Sequence, residues 1–291
     1  MNEQILISPS ELAATMTKAP MVLIDTRDPS AYAAGHLPGA VNLRDIFTYL
    51  ATSSAEGKHQ LEEKFAEEFG AAGLSGAETA VLYEDNMHTG FGQSCRGYYL
   101  LKYLGYPKVK VLHGGFGAWS KASLPVTTAA SRPKPAKFPV RIDPAAVMVD
   151  KDEMLRALSN PSIVKLDVRD VVEWIGKSSS PYGVDFCPRK GRIPNAKWLE
   201  WYRMMKPTEL GQMFKDPDEI LAECATVGID RDSTVYLYCF KGARAANTYL
   251  ALQEAGIRNV KIYFGSWNEW SREFSLPIET VAAAEEVAEP A

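Results

Sequence analysis

Histidine and cysteine are both rare in this chain, which contains four of each among 291 residues. The cysteines, at positions 95, 187, 224 and 239, include no Cys-x-x-Cys pair. A disulfide framework and a zinc site are therefore not expected in a protein of this length. The first eight residues lack the basic segment that opens a signal peptide. These absences predict a reduced, cytoplasmic protein with neither a metal nor a cofactor.

Long apolar runs and an excess of positive charge are also missing. No stretch approaches the roughly 20 apolar residues that cross a bilayer, so no membrane association is expected. The formal net charge of −4 gives no reason to expect nucleic-acid binding. The composition is that of a globular protein, 46% hydrophobic and 23% charged, and the length suffices for two domains.

The two halves of the sequence contain the same short segments in the same order. The matches are LIDTRD (23–28) with KLDVRD (165–170), GHLPGA (35–40) with GRIPNA (191–196), VLYED (81–85) with VYLYC (235–239), and GGFGAW (114–119) with GSWNEW (265–270). In this register Cys239 lies opposite Asp85, and Arg244 lies opposite Arg96. A repeat of this length indicates two copies of one domain.

Within each copy, short β-branched runs alternate with helical runs. This pattern is typical of an α/β fold in which helices cover both faces of a mostly parallel sheet. We expect one such domain in residues 1–127 and a second in residues 145–280. Residues 128–144 contain four prolines and predict a stiff linker. The Ala- and Glu-rich residues 281–291 predict a flexible tail.

Cys239 is the best candidate for a reactive group. It ends an apolar strand, and Arg244 opens a helical stretch after four intervening residues, so the loop directs its amides and a helix N-terminus at the thiol. Lys241 and Arg244 add full positive charges. All of these features favour the thiolate, which is the reactive form of cysteine.

The first copy lacks this arrangement. Ten residues separate Asp85 from Arg96 there, and no cysteine stands at the end of the strand. We therefore expect the first domain to be catalytically inactive. Cys95, Cys187 and Cys224 have no supporting basic loop and are expected to be inert thiols.

Together these segments resemble the tandem rhodanese sulfurtransferases. The resemblance rests on the Asp-x-Arg strand ends, the Gly-His-x-Pro-Gly-Ala turn, the cysteine loop and the glycine-rich segment with its trailing tryptophan. It implies two similar α/β domains, of which the second carries the chemistry. It also implies that Cys239 takes the outer sulfur of a small anionic donor such as thiosulfate and holds it as a persulfide. The acceptor would be cyanide or a thiol, either a small one or that of a thioredoxin-like protein.

The same resemblance assigns roles within the loop. Lys241 would meet the anionic oxygens of the donor, because thiosulfate-type members carry a lysine there. The amides of Gly242 and Ala243 would complete the cradle. Phe240 departs from the arginine or glycine common at its position, and forms either an apolar pocket wall or the exposed tip of the loop. Arg244 replaces a common threonine or serine, and either adds an anion contact or bonds to loop carbonyls.

Two more arginines are candidates for substrate binding. Arg169 ends a strand at the sheet edge where α/β proteins gather ligands, but an ion pair with Asp167 or with a residue of the other domain explains it equally well. Some relatives place an arginine four residues later, and the Glu173 found here weakens any proposal of a carboxylate-bearing donor. Arg192 could add charge at the mouth of the cleft, although a solvated basic loop is the favoured interpretation.

Three other functions can be compared with thiosulfate sulfur transfer. Relatives that use 3-mercaptopyruvate carry glycine and serine after the cysteine, where this chain has Phe240 and Lys241, so thiosulfate is favoured as the donor. Phosphatases built on the same fold separate their cysteine and arginine by five residues, against four here, so phosphatase activity is not expected. A persulfide carrier or scaffold without turnover remains an alternative of another class.

Overall fold

The computed structural model describes residues 4–142 and 147–280. The elements of its first unit are β1 (Leu6–Ile7), α1 (Pro9–Thr15), β2 (Met21–Asp25), α2 (Pro29–Ala34), β3 (Val41–Asn42), α3 (Asp45–Thr48), α4 (Ala55–Ala71), β4 (Thr79–Tyr83), α5 (Gln93–Tyr103), β5 (Val109–Leu112) and α6 (Gly115–Lys121). Its strands form one parallel sheet in the order β1-β5-β4-β2-β3.

The second unit repeats this plan. Its elements are β6 (Met148–Val149), α7 (Lys151–Ala157), β7 (Ile163–Asp167), α8 (Val171–Trp174), β8 (Lys197–Trp198), a 3₁₀ turn (Trp201–Met204), β9 (Met205–Thr208), β10 (Gly211–Phe214), α9 (Pro217–Ala225), β11 (Thr234–Tyr238), α10 (Ala243–Glu254), β12 (Val260–Tyr263) and α11 (Ser266–Trp270). The parallel sheet has the order β6-β12-β11-β7-β8, which matches the first sheet strand for strand. The expected two-domain α/β fold is therefore confirmed. Among the described residues, no helix has the length and apolar character that a membrane span requires.

The pairing of the central strands fixes how the two copies correspond. The equivalent pairs are Asp25 with Tyr83 and Asp167 with Tyr238. Since Tyr83 matches Tyr238, the residue opposite Cys239 is Glu84. The expected match with Asp85 was wrong by one residue, because an apolar strand buried on both faces does not fix its own register.

The helices that follow these strands are equivalent as well. Helix α5 begins after Gly92 and α10 after Gly242, and both glycines have left-handed φ angles, 77° and 90°. This equivalence places Ser94 opposite Arg244. The expected match of Arg244 with Arg96 was therefore wrong, because α5 begins at Gln93, two residues earlier than a match of the two arginines requires.

The proline-rich segment lies against the first unit. Phe138 packs between the rings of Phe69 and Tyr106, with centroids at 5.6 and 5.4 Å. The N–H of Ala136 donates to the carbonyl of Gly70 at 2.8 Å. These contacts hold the chain as it passes from one unit to the other. The tail expected in residues 281–291 lies outside the described residues.

The two units pack together through α5 and α10. The ring of Tyr99 contacts those of Tyr249 and Phe264, with centroids at 5.5 and 5.2 Å. The backbone N–H and hydroxyl of Ser53 both donate to the carboxylate of Glu269 at 2.7 Å. Aromatic packing and a buried polar contact thus join the units.

The N-termini of α5 and α10 meet at this interface. A Cβ added to Gly92 would lie 2.4 Å from the carbonyl oxygen of Ala243, so only glycine permits this approach. The loop that carries Cys239 is consequently covered by the first unit.

Candidate active site

Cys239 directly follows β11, the middle strand of the second sheet. Its side chain is buried, and the N–H of Gly242 donates to its sulfur at 3.1 Å. The backbone N–H of Cys239 donates to the hydroxyl of Ser266 at 3.2 Å, and its carbonyl accepts from the N–H of Trp267 at 3.0 Å. The thiol is thereby fixed at the base of a short loop.

Gly242 allows this loop to be short. With a φ of 90° it turns the chain directly into α10, and a Cβ at this position would lie 2.8 Å from the ring of Phe264. The first turn of the helix therefore begins beside the sulfur of Cys239. A helix N-terminus at that place stabilises negative charge on a thiolate or a persulfide.

A cavity of about 320 Å³ opens at Cys239 between the two units. The first unit contributes Asp28, Arg44, Phe47, Thr89, Phe91 and Gln93 to its walls, and the second contributes Asp170, Pro181, Tyr182, Cys239, Phe240, Lys241, Ala243 and Arg244. The ring of Phe240 lies 4.9 Å from that of Tyr182 and only 3% of Phe240 is exposed. Of the two expectations for Phe240, the structure shows the apolar wall and excludes the exposed tip.

Lys241 projects into this cavity from the loop. Its ammonium lies 3.9 Å from the centroid of the Phe47 ring and 5.3 Å from that of Tyr182. None of the described carboxylates forms an ion pair with it. Burial, reinforced by the charge of Arg96, lowers the pKa of Lys241 to about 7. Lys241 is thus a buried amine without a carboxylate partner among the described residues.

Arg244 is held quite differently. Its Nη1 and Nη2 donate to the two carboxylate oxygens of Glu173 at 2.6 and 3.1 Å, and Asp170 lies 3.2 Å from Nη1. Burial lowers the pKa of Arg244, but the Glu173 carboxylate outweighs it and the net shift is upward. The expectation that Arg244 bonds to loop carbonyls was wrong, because its guanidinium is held by the bidentate partner on α8. Its contact with an anionic donor stays a prediction.

Arg169 is not part of the cavity wall. Its guanidinium donates to both oxygens of Asp167, at 2.6 to 3.0 Å, and to the carbonyl of Gly191 at 2.8 Å. The first unit contains the same network, in which Arg27 donates to Asp25 and to the carbonyl of Gly35. Because the copy without the cysteine keeps this network, we assign Arg169 a structural role. The expectation that it contacts the substrate is corrected accordingly.

Arg192 also lies outside the cavity. It forms an ion pair with Glu279, and its guanidinium stacks 4.0 Å from the centroid of Trp174. The neighbouring Arg189 donates to the carbonyls of Trp270 and Leu276. The expectation that Arg192 adds charge at the mouth of the cleft is therefore wrong. The solvated loop that was favoured does not describe Arg192 either, because both arginines are bound to the end of the second unit.

The first unit has a carboxylate where the second has the thiol. Glu84 is buried, and its Oε2 accepts from the N–H groups of Gln93 and Ser94 at 2.6 and 3.4 Å, at the start of α5. Burial raises the pKa of Glu84 to about 8. The helix N-terminus that faces a sulfur in one copy thus faces a carboxyl group in the other.

The three remaining cysteines are buried away from the loop. Burial raises the pKa of Cys95, of Cys187 and of Cys224, the last to about 12. A raised pKa leaves a thiol protonated at neutral pH. This agrees with their expected inertness.

Ser266 is a site residue that the sequence did not single out. Its φ of 54° is unusual for a residue with a side chain, and its hydroxyl donates to the carbonyl of Tyr263 at 2.8 Å while accepting from Cys239. The equivalent residue in the first copy is Gly115, with a φ of 64°. The Gly-to-Ser difference in the repeat was the available signal. No sequence signal identified the first-unit residues that line the cavity, because these residues come near Cys239 only when the two units pack together.

The family model for the rhodanese-like domain matches this chain twice, at residues 8–122 and 150–273. A thiosulfate sulfurtransferase of Azotobacter vinelandii is 28% identical over 279 residues, which cover 94% of this chain and 97% of that protein. A 3-mercaptopyruvate sulfurtransferase of Escherichia coli strain K12 is also 28% identical, over 253 residues that cover 86% and 85% of the two chains.

A solved structure shows the same fold. The anaerobic ergothioneine biosynthesis enzyme from Chlorobium limicola superposes with a TM-score of 0.82 at 23% identity, covering 96% of this chain and 70% of its own. The two family matches coincide with the two α/β units, and Cys239 lies in the second. This chain therefore belongs to the rhodanese family.

Proposed function

We propose that this protein is a thiosulfate sulfurtransferase that passes the sulfur to cyanide or to a thiol through a persulfide on Cys239. The observation that carries the proposal is Lys241, whose ammonium lines the same cavity as Cys239 without a carboxylate partner among the described residues. A small dianionic donor supplies the missing negative charge. Arg244 does not compete for it, since Glu173 already neutralises that guanidinium.

The reaction has two half-reactions. In the first, the Cys239 thiolate attacks the outer sulfur of thiosulfate, the sulfur–sulfur bond breaks, and sulfite leaves with the electron pair. In the second, the acceptor attacks the terminal sulfur of the persulfide and Cys239 leaves as a thiolate. The N–H of Gly242 and the start of α10 stabilise the sulfur anion in both. Ping-pong kinetics follow from this order.

In this proposal only residues 145–280 carry chemistry. Residues 1–127 act as a non-catalytic domain that closes the cavity, and residues 128–144 link the two. The aromatic rings of Phe47 and Phe91 come from the first unit and reduce the access of water to the persulfide.

The test is a comparison of three substrates on one preparation, with thiosulfate, 3-mercaptopyruvate and an aryl phosphate assayed side by side. We expect the highest kcat/KM with thiosulfate and no hydrolysis of the phosphate. Faster turnover of 3-mercaptopyruvate than of thiosulfate would contradict the assignment of the donor. Persulfide formation without turnover to any small acceptor would favour a sulfur carrier.

The 3-mercaptopyruvate alternative has one observation in its favour. The carboxylate of that donor needs a cation at a distance from the sulfur, and Arg44 lines the cavity from the first unit. Arg44 is already bound to Asp28 at 2.9 Å and to Gln93 at 2.9 Å, so it is less available than Lys241. Both relatives have the same identity to this chain, 28%, and do not discriminate between the donors.

A further inference from the structure

The charges of three arginines act on Lys241. Arg44 precedes α3, Arg96 lies on α5 and Arg244 lies on α10, and the charge of each opposes protonation of Lys241. The sulfur of Cys239 is the group that favours protonation. The ring of Phe47 lies within 5 Å of both Arg44 and Lys241, at 4.7 and 3.9 Å from its centroid.

The nearby carboxylates are bound elsewhere. Asp28 pairs with Arg44 at 2.9 Å, and Asp170 and Glu173 pair with Arg244 at 3.2 and 2.6 Å. Tyr182 presents its ring to Lys241, at 5.3 Å. Only 8% of Lys241 is exposed, so water does little to stabilise its charge. A buried ammonium among arginines loses its proton far more readily than a lysine in water.

The proposed donor chemistry uses only the protonated form of Lys241. The neutral amine is left without a role in that half-reaction, although burial and the surrounding arginines lower the pKa of Lys241 to about 7. An amine that titrates near neutrality is well matched to proton transfer at physiological pH. The second half-reaction contains a proton that must move when the acceptor is a thiol.

We propose that neutral Lys241 accepts the proton of the acceptor thiol as the sulfur is transferred from Cys239. This role rests on the proposed sulfurtransferase function and adds a general base to it. Lys241 and Cys239 line the same cavity, so a thiol that reaches the persulfide also meets the amine.

The proton and electron count of the step is balanced. The acceptor S–H bond breaks and its proton moves to Nζ of Lys241. The acceptor sulfur forms a bond to the terminal persulfide sulfur, the bond from that sulfur to Sγ of Cys239 breaks, and the electron pair remains on Sγ. The new ammonium offsets the negative charge of the product persulfide. Lys241 then returns its proton to the departing product, and no oxidant or reductant is needed.

Two substitutions separate charge from proton transfer. Lys241→Arg retains a positive charge but does not titrate near neutrality, and Lys241→Met removes both properties. Each variant is loaded with the persulfide sulfur first, so that the comparison does not depend on how well it binds thiosulfate. Transfer from Lys241→Arg to a small thiol at neutral pH should then fall by about 10²-fold, the low end for loss of a general base. Lys241→Met should be impaired in both half-reactions.

Cyanide is the matched control acceptor. Cyanide ions bring no proton, so in alkaline buffer, where cyanide is ionised, Lys241→Arg should lose far less of its transfer rate to cyanide than it loses to the thiol at neutral pH. The persulfide is measured by mass before the acceptor is added, which separates this test from a failure of the donor half-reaction. Equal rates of thiol transfer in the Arg variant and the unmodified protein would overturn the general-base role.

A measurement on the unmodified protein tests the proposal even if the cavity cannot accommodate the side chain introduced by Lys241→Arg. The single-turnover rate of thiol transfer should rise with pH through a limb near 7. This limb should stay at the same pH when thiols of different acidity are compared, because it belongs to the enzyme. A limb that moves with the acidity of the acceptor would exclude Lys241 as the proton acceptor.

Discussion

The loops that follow β4 and β11 begin from equivalent strands and lead into equivalent helices, yet they hold different acidic groups. One places the buried carboxyl group of Glu84 at the start of α5, and the other places the sulfur of Cys239 at the start of α10. Backbone N–H groups at a helix N-terminus therefore donate to an acidic side chain in both copies. What differs is the nucleophile and the cavity in front of it. Retention of the strand, the loop and the helix thus does not imply retention of chemistry.

The two copies also differ in the first turn of the helix that follows each loop. The second has the buried ion pair of Arg244 with Glu173, and the equivalent positions in the first hold Ser94 and Ala31. A large charged pair in one copy corresponds to two small uncharged residues in the other, so the first copy has no charge to pair at these positions.

Removing the nucleophile should give the largest effect. Cys239→Ser should abolish sulfur transfer and the mass increase of the persulfide, because the hydroxyl is a far weaker nucleophile at neutral pH. The urea midpoint should stay close to that of the unmodified protein, since the hydroxyl fits the same space. Activity retained by this variant would remove the basis of the proposed function.

Breaking the ion pair should have the next largest effect. Arg244→Ser or Glu173→Ala, which install the residues of the first copy one at a time, should each lower the free energy of unfolding by about 3 kcal/mol. Each single change leaves one buried charge without its main partner. The double variant should lose much less than the sum of the two, as measured by urea unfolding in a double-mutant cycle. Additive losses would show that the two residues are not coupled.

Removing the unpaired cation should affect donor binding by a smaller amount. Lys241→Ala should raise the KM for thiosulfate roughly tenfold, in the range of one charged hydrogen bond. The rate of alkylation of Cys239 should change less, because Gly242 and the helix N-terminus remain. Steady-state kinetics and iodoacetamide labelling measure the two quantities. An unchanged KM would argue against contact between Lys241 and the donor.

The smallest effect is expected in the first copy, and it is a dependence on pH. The pKa of Glu84 is raised to about 8, above the value of about 4.3 for glutamate in an unfolded chain, so between these values the folded state binds the proton more tightly. Stability from this group should therefore decline as pH rises from about 4.5 to 8, by at most about 1.4 kcal/mol per pH unit. Glu84→Gln should remove this slope in urea unfolding without loss of sulfur transfer. An identical slope in both proteins would show that Glu84 is ionised throughout.

Much of the fold could be predicted, because both halves of the sequence contain the same segments in the same order. The Asp-x-Arg segments proved to be the same network in both units, with Arg27 and Arg169 in equivalent roles. The register between copies could not be predicted, since a strand buried on both faces gives no alternation to anchor it. The sequence did not identify Glu173 as the partner of Arg244, because α8 and α10 are far apart in the chain. Glu173 was considered only as a position at which some relatives carry an arginine.

The sequence by itself determined the family, the two α/β domains, the copy that carries the cysteine and the loop in which Cys239 and Lys241 lie. These features depend on short segments whose local chemistry is readable residue by residue. Only the tertiary structure decided which of the positively charged side chains have a carboxylate partner. Arg244, Arg169 and Arg192 resemble Lys241 as cations in the sequence, but each is satisfied by a partner distant in the chain or across a turn. Within the part of the chain that the structure describes, Lys241 has no carboxylate partner. The packing of the two units buries it near arginines and aromatic rings, and this environment sets its chemistry.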